Sequence, residues 1–233
     1  MLKTITLALA LLPGAVAAQS FEGTVVDLQF QRYEDGSGAE TNSIEGNLDA
    51  RWQFGALGVQ AGLALGKDVN DSGDISIDHY HGFALHLTAD VSGNLRFGAM
   101  VAADNAFDRV YLYAAEAIYT NDALRVEGRL GDSFNNARPF TLFEVDSTLS
   151  TGGPLSLRLG TKFTDFGTGG NASQMTIGAG FTLGSGTNIY ADYGRHSGTA
   201  GAGDGNGSLI NLGVRFNLGA GGTDKAFSYQ PLN

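Results

Sequence analysis

The sequence predicts an all-β chain that closes as an antiparallel transmembrane β-barrel of about 12 strands. Three observations carry that prediction. Apolar and polar residues alternate along segment after segment, the connections alternate between tight and long, and a short export-like segment opens the chain. Residues 209–218 show the first most clearly. Ile210, Leu212, Val214, Phe216 and Leu218 are apolar, and Asn211, Gly213, Arg215 and Asn217 lie between them. A strand turns successive side chains to opposite faces, so strict alternation puts one face in an apolar medium and the other in a polar one. Repeated around a closed sheet, that is the pattern of a barrel standing in lipid.

The opening segment has Lys3 as a positive start and an apolar run at 4–12. Pro13-Gly14 breaks the run, and the small residues Ala15 to Ala18 follow. This predicts a signal peptide over 1–18, cleaved before Gln19 or Ala18. The run is too short to cross a bilayer as a helix. Its removal takes Lys3 and leaves 13 basic against 24 acidic residues, a formal charge of −11. Such acidity argues against nucleic acid as a partner, because phosphate binding needs clustered Lys and Arg. The chain has no cysteine, which excludes thiolate catalysis and Cys-based zinc sites. The remainder fits one β domain with no linker-like boundary.

Twelve segments follow in order. The first, 23–33, puts Asp27 on its polar face. In 43–54, Ile44, Leu48, Trp52 and Phe54 alternate with Glu45, Asp49 and Arg51. Segment 57–66 carries Gly58 and Gly62 on the polar face, 79–90 carries Asp90, and 95–104 carries Arg96, Gly98 and Asp104. Segment 110–119 sets Glu116 against Tyr111, Tyr113 and Tyr119, and 123–132 carries Arg125, Glu127 and Arg129. Segment 141–149 sets Glu144 and Asp146 against Phe143; it and the sixth segment alternate less cleanly than the rest. Segment 155–165 sets Arg158, Gly160 and Lys162 against Leu155, Leu157, Leu159 and Phe163. Segment 174–183 alternates Met175, Ile177, Ala179 and Phe181 with Gly178 and Gly180, and 187–196 places Asp192 opposite in parity to Tyr193. The twelfth is 209–218, with Arg215 on its polar face.

Tight connections at 55–56, 91–94, 120–122, 150–154 and 184–186 alternate with longer polar ones at 34–42, 67–78, 133–140 and 197–208. Only 105–109 departs in length. Short turns on one side and long loops on the other are the two ends of an outer-membrane barrel, and an even strand count returns both termini to the short-turn end. On the apolar face, Trp52, Phe54, Phe97, Tyr119 and Phe216 lie toward that end, and Tyr111, Tyr113, Phe143, Phe163 and Tyr193 toward the other. Rings that are part apolar and part polar favour the two interfaces of a membrane, although aromatics favour strands in any setting.

These features together resemble the outer-membrane porin superfamily of Gram-negative bacteria, in its smaller and α-proteobacterial form. The sharpest match is Asn211-x-Gly213-x-x-Phe216-x-Leu218, which resembles the terminal signal read by the barrel-assembly machinery. The resemblance implies a water-filled channel for passive diffusion of ions and small hydrophilic solutes in a bacterial outer membrane. Its implied partners are outer-membrane lipid and lipopolysaccharide, the assembly machinery and, as one assembly state, a homotrimer. Two departures stand out. The chain continues for 15 residues past Leu218, and no loop is clearly long enough to fold into the pore as the third loop of larger porins does.

Parity assigns to the interior the charged residues expected to line the pore: Asp27, Glu45, Asp49, Arg51, Arg96, Glu116, Arg125, Glu127, Arg129, Glu144, Asp146, Arg158, Lys162, Asp192 and Arg215. Charges shut away from water are costly, so such an interior is either hydrated or densely paired. Glycines at inner positions favour an open, hydrated lumen, whereas Glu144 and Asp146 between arginine-bearing neighbours favour a salt-bridged patch. The second reading is therefore a structural or adhesive barrel with a plugged lumen. With Asp90 and Asp104 included, inner acids outnumber inner bases ten to seven, which predicts a modest cation preference.

Enzyme chemistry finds no support: His79-x-His81 and His196-Ser197 do not reproduce the His-x-Ser spacing of outer-membrane phospholipases, and no base is specified for a nucleophile. No cofactor is expected. His79 and His81 share a face but read as solvated rim residues rather than as a metal site. The loop 68–74 begins like a calcium loop, yet its twelfth position is His79 instead of glutamate. The tail, 219–233, reads as a glycine-led periplasmic extension that trails in solution, with folding back into the lumen as the alternative. A soluble secreted β-sandwich and an autotransporter translocator are the remaining architectures, and the second lacks a passenger segment.

Overall fold

The structure, a computed structural model, describes residues 19–69, 79–105, 110–134, 139–199, 205–219 and 227–228. Twelve antiparallel strands form one closed barrel. They are β1 (Gln19–Glu34), β2 (Glu40–Phe54), β3 (Leu57–Val69), β4 (His79–Asp90), β5 (Leu95–Asp104) and β6 (Val110–Thr120). The circle continues with β7 (Leu124–Ser133), β8 (Thr141–Ser150), β9 (Leu155–Asp165), β10 (Asn171–Leu183), β11 (Thr187–Gly198) and β12 (Gly205–Leu218). Each strand pairs with its neighbour in sequence, and β12 returns to pair with β1 from Thr24↔Leu218 to Glu34↔Ser208. Closure leaves no sheet edge, which is what a strand-built protein needs in lipid.

The barrel is inverted relative to a water-soluble sheet. Along β2, Glu45, Asn47, Asp49, Arg51 and Gln53 are buried inside, while Ile44 and Leu48 are exposed outside. The same holds around the circle, where Leu28, Leu63, Leu87, Val101, Leu130, Leu157, Ile177, Ile189 and Leu212 all face outward. An exposed apolar belt this continuous is far larger than the patches a soluble monomer shows, and it calls for an apolar surround. The soluble β-sandwich is thereby set aside. The two aromatic groups expected from parity both lie on the outer face, and Tyr111 and Tyr113 there stack on Phe134, with ring centroids 5.3 and 6.0 Å apart.

At the seam a bulge in β1 shifts the register, so that Phe21 pairs with Trp52 but Gly23 with Arg51. The extra residue, Glu22, lets Phe21 stay on the outer face beside Trp52, at 5.9 Å between rings, although it shares odd numbering with the inward Asp27. Short turns close the other strand pairs at one end. Gly55, Gly152 and Gly186 supply the positive φ of three of them (67°, 80° and 83°).

Several observed strands run longer than predicted, mostly at the long-loop end, although β1 also gains residues 19–22 at the short-turn end. β1 and β2 extend to Glu34↔Glu40, and an Asp35 carboxylate closes their loop by accepting from Ser37 N at 2.8 Å and Ala39 N at 2.9 Å. Polar residues there pair across strands without needing alternation, so periodicity cannot find the true ends. Residues 1–18, 70–78 and 200–204 lie outside the described residues. So the expected signal peptide and most of the calcium-like loop do too.

Candidate functional site

All fifteen charged residues assigned to the interior lie on its inner face. They do not all face free space. Asp27, Glu45, Asp49, Arg51, Arg96, Glu116, Glu127, Arg129 and Asp192 are buried, whereas Arg125, Glu144, Asp146, Arg158, Lys162 and Arg215 are partly accessible. The buried members sit mainly on β2–β7. The accessible ones form a polar strip on β7–β9 and β12, continued on β10 by Gln174 and Thr176.

The expectation of a uniformly polar interior fails over the long-loop half of β3–β6. There Ala64, Ala84, Met100, Ala102, Leu112 and Ala114 pack with Phe140 and Leu142 into an apolar cluster. Alternation fades there because the inner residues are apolar like the outer ones. Nor do the inner glycines simply keep space open. Tyr190 lies directly across the ladder from Gly213, and a Cβ on Gly213 would come within 2.2 Å of the ring. Tyr80 covers Gly66 in the same way, at 1.9 Å. Each glycine is a slot for the facing ring.

Two charged networks result. On the β1–β12 side, Arg215 donates to Asp27 Oδ2 from Nε at 2.8 Å and from Nη2 at 2.6 Å, and Tyr190 Oη donates to Asp27 Oδ1 at 2.7 Å. Arg158 stands 4.1 Å from the Tyr190 ring centre, a cation–π distance, and its Nε lies 2.9 Å from Asp192 Oδ1. On the opposite wall, Arg129 is shared by three carboxylates: Glu116 at 2.8 Å, Glu144 at 2.9 Å and Glu127 at 3.6 Å. His86 Nδ1 lies 2.7 Å from the other oxygen of Glu116, and Arg125 reaches Glu127 at 2.6 Å. Nearer the short turns, Arg96 holds Asp90 with two hydrogen bonds of 2.6 and 2.8 Å, and Arg51 pairs with Glu22. Buried charges are tolerated when each has an oppositely charged partner at this range.

Two residues of the tail are described, and they follow the alternative expectation of a tail folded back into the lumen. Phe227 and Ser228 do not trail in solution; they lie inside the barrel. Phe227 is 1 % exposed. Its N–H donates to Gln60 Oε1 at 2.9 Å, and its carbonyl accepts from Gln60 Nε2 at 2.6 Å. Its ring stacks on His86 at 5.9 Å with planes 4° apart, and it fills the space beside Gly98, where a Cβ would lie 2.9 Å from the ring. Ser228 donates to Glu127 through N–H at 2.8 Å and Oγ at 3.0 Å, and Arg129 donates to its carbonyl.

A cavity of about 330 Å³ opens among the short turns and is lined by Asp27, Asp49, Arg125, Arg158, Arg215 and Phe227, among others. At about 30 Å³ per water molecule it has room for roughly ten.

Sequence reasoning missed Gln60, His86 and Tyr190, and it held the tail's return to the lumen only as the alternative, without its docking partners. Tyr80 and Tyr190 were within reach, because each is an aromatic at a polar-face position with glycine at its cross-strand partner. Phe227 was not, since nothing local marks a residue that docks on strands more than a hundred positions earlier. The rim histidine His81 is exposed, with its ring Nδ1 2.8 Å from Asn105 Nδ2.

No protein-family model matches the chain, and no curated protein matches it. Solved structures do. A porin named NanC superposes with a TM-score of 0.64 at 9% identity, covering 83% of this chain and 100% of that one. A porin named KdgM gives 0.55 at 7% identity, covering 82% and 98%. A channel for monoaromatic hydrocarbons named CymD gives 0.56 at 8% identity, covering 86% and 89%. At these identities the likeness is one of fold alone: a closed antiparallel β-barrel.

Proposed function

We propose that this protein is an outer-membrane porin of small bore, passing ions and small hydrophilic solutes by diffusion. The observation that carries the reading is the accessible polar strip inside an apolar-belted closed barrel. Asp146, Arg158, Lys162 and Gln174 are neither packed like the β2–β6 interior nor turned to the lipid. Polar side chains in a space that admits water give a path that a hydrated ion can follow. Porins and a channel among the structures of the same fold support it. Residues 1–18 would be removed on export and 19–218 would form the barrel in the outer membrane, with the short turns and residues 219–233 on the periplasmic side. Lipid, lipopolysaccharide and the barrel-assembly machinery are the partners this location implies, with homotrimerisation the assembly to test.

The plugged structural barrel remains as a second reading, favoured by the apolar cluster on β3–β6 and by the seated tail. Planar-bilayer recording on the purified full chain separates the two. The porin reading expects discrete, ohmic steps; a barrel that migrates heat-modifiably on a gel, and so is folded, yet never conducts, would establish the plugged one.

A further inference from the structure

We propose that the wall recess formed by Gln60, His86, Gly98, Glu127 and Arg129 is a peptide-binding site. Its ligand is an extended segment carrying an aromatic residue followed by a hydroxyl residue. The chain's own Phe227-Ser228 fills it as a tethered plug that sets the bore. Each part of the recess answers a different part of such a ligand. Gln60 offers its amide oxygen to one backbone N–H and its amide nitrogen to the carbonyl of the same residue, as a neighbouring strand would. Glu127 takes the next N–H and its hydroxyl together, and Arg129 takes the next carbonyl. His86 and the absent side chain of Gly98 shape the slot for the ring.

The placement makes this a plug instead of a surface contact. Gln60 is three residues above the β2–β3 turn and Gly98 three above the start of β5, so the ring sits about 10 Å inside the mouth at about 3.4 Å per residue. The wall it meets, β3–β7, faces β12, from which the tail departs. The eight residues from Gly219 to Ala226 reach up to roughly 28 Å when extended. A tether of that length holds its end at an effective concentration of millimolar order. Weak polar contacts in a hydrated lumen then suffice for occupancy, and the same weakness lets the segment leave.

This inference rests on the porin reading for its effect on conductance, but seating of the tail is tested separately. Because the chain has no cysteine, Ser228→Cys adds a single thiol. Its modification by a charged maleimide is compared in the full-length barrel with and without Phe227→Ala, and with and without Gly98→Val, which fills the ring's slot from the wall. The expected result is labelling slowed about tenfold or more while Phe227 is present, with either second substitution restoring the fast rate. Conductance of Phe227→Ala in the Ser228 chain should rise about twofold, and a synthetic peptide of residues 225–233 at millimolar concentration should reverse the rise. Equal labelling in all three barrels overturns the site, whatever the currents. Labelling as expected with no current in any barrel leaves the site standing and removes the porin. Currents unchanged by Phe227→Ala despite the labelling difference overturn the plug.

Discussion

Single residues decide how this interior packs, and Gly213 shows how. Parity gives it an inner position and its place before Phe216 suggests an assembly signal, but its contact is with Tyr190, which it admits close enough to donate to Asp27. Gly213→Ala should displace that ring and cost about 1–3 kcal/mol, the range for overfilling a packed site. Raised loss of the heat-modifiable form on warming measures it, and unchanged resistance would mean the ring has another resting place. Arg129 has larger consequences. It is buried among Glu116, Glu127 and Glu144, so Arg129→Met leaves three carboxylates facing one another. The expected cost is about 3–5 kcal/mol, as for removing one partner of a buried ion group. Adding Glu116→Gln and Glu144→Gln should recover much of it; no recovery would show that Arg129 acts through the tail carbonyl alone.

At the scale of elements, the last strand carries the closure. Ladder pairs run from Thr24↔Leu218 past Asp27↔Arg215, so β12 joins the chain's end to its beginning and every other strand depends on the seam. Phe216 and Leu218 project outward from it. Phe216→Asp with Leu218→Asp places two carboxylates against lipid near one interface and spoils the terminal pattern. The double variant should be missing from outer membranes and appear as degraded periplasmic material, as judged by fractionation and immunoblotting. Normal membrane levels would contradict both the lipid-facing assignment and the role of Asn211, Gly213, Phe216 and Leu218 in assembly. Segments read as 23–33 and 43–54 are strands over 19–34 and 40–54. Hydrophobic period marks only the stretch that meets lipid, whereas hydrogen bonding continues past it into water.

On the proposed porin reading the whole molecule would set ion preference, and counting residues is a poor guide to it. Ten inner acids against seven bases argue for cations, but most of those charges are spent on one another: Asp27 with Arg215, Asp192 with Arg158, Asp90 with Arg96, and three glutamates with Arg129 and Arg125. Among the described residues, Asp49 and Asp146 have no basic side chain within ion-pair distance, and Asp146 lies on the accessible strip. A weak cation preference should therefore appear in the reversal potential at low salt. It should fade above about 0.1 M, where the Debye length falls to roughly 10 Å. Asp146→Asn should reduce it further. Anion preference in the parent chain would instead assign control to Arg125, Arg158 and Arg215 on the cavity wall.

The sequence by itself determined the number of strands, the face each side chain takes, the tight turns and the inward placement of all fifteen charges. Alternation and turn chemistry act between residues a few positions apart, so a single chain displays them. Only the tertiary structure decided which inner charges meet water and which are locked in pairs, because that depends on neighbours across the ladder and across the bore. It also decided that the β3–β6 interior turns apolar toward the long loops, where both faces of the strands are apolar and periodicity carries no information. Last, it brought Phe227 to Gln60 and His86: the tail's composition reads as a loose end, and its binding site exists only once four strands of the facing wall, β3, β4, β5 and β7, have come together.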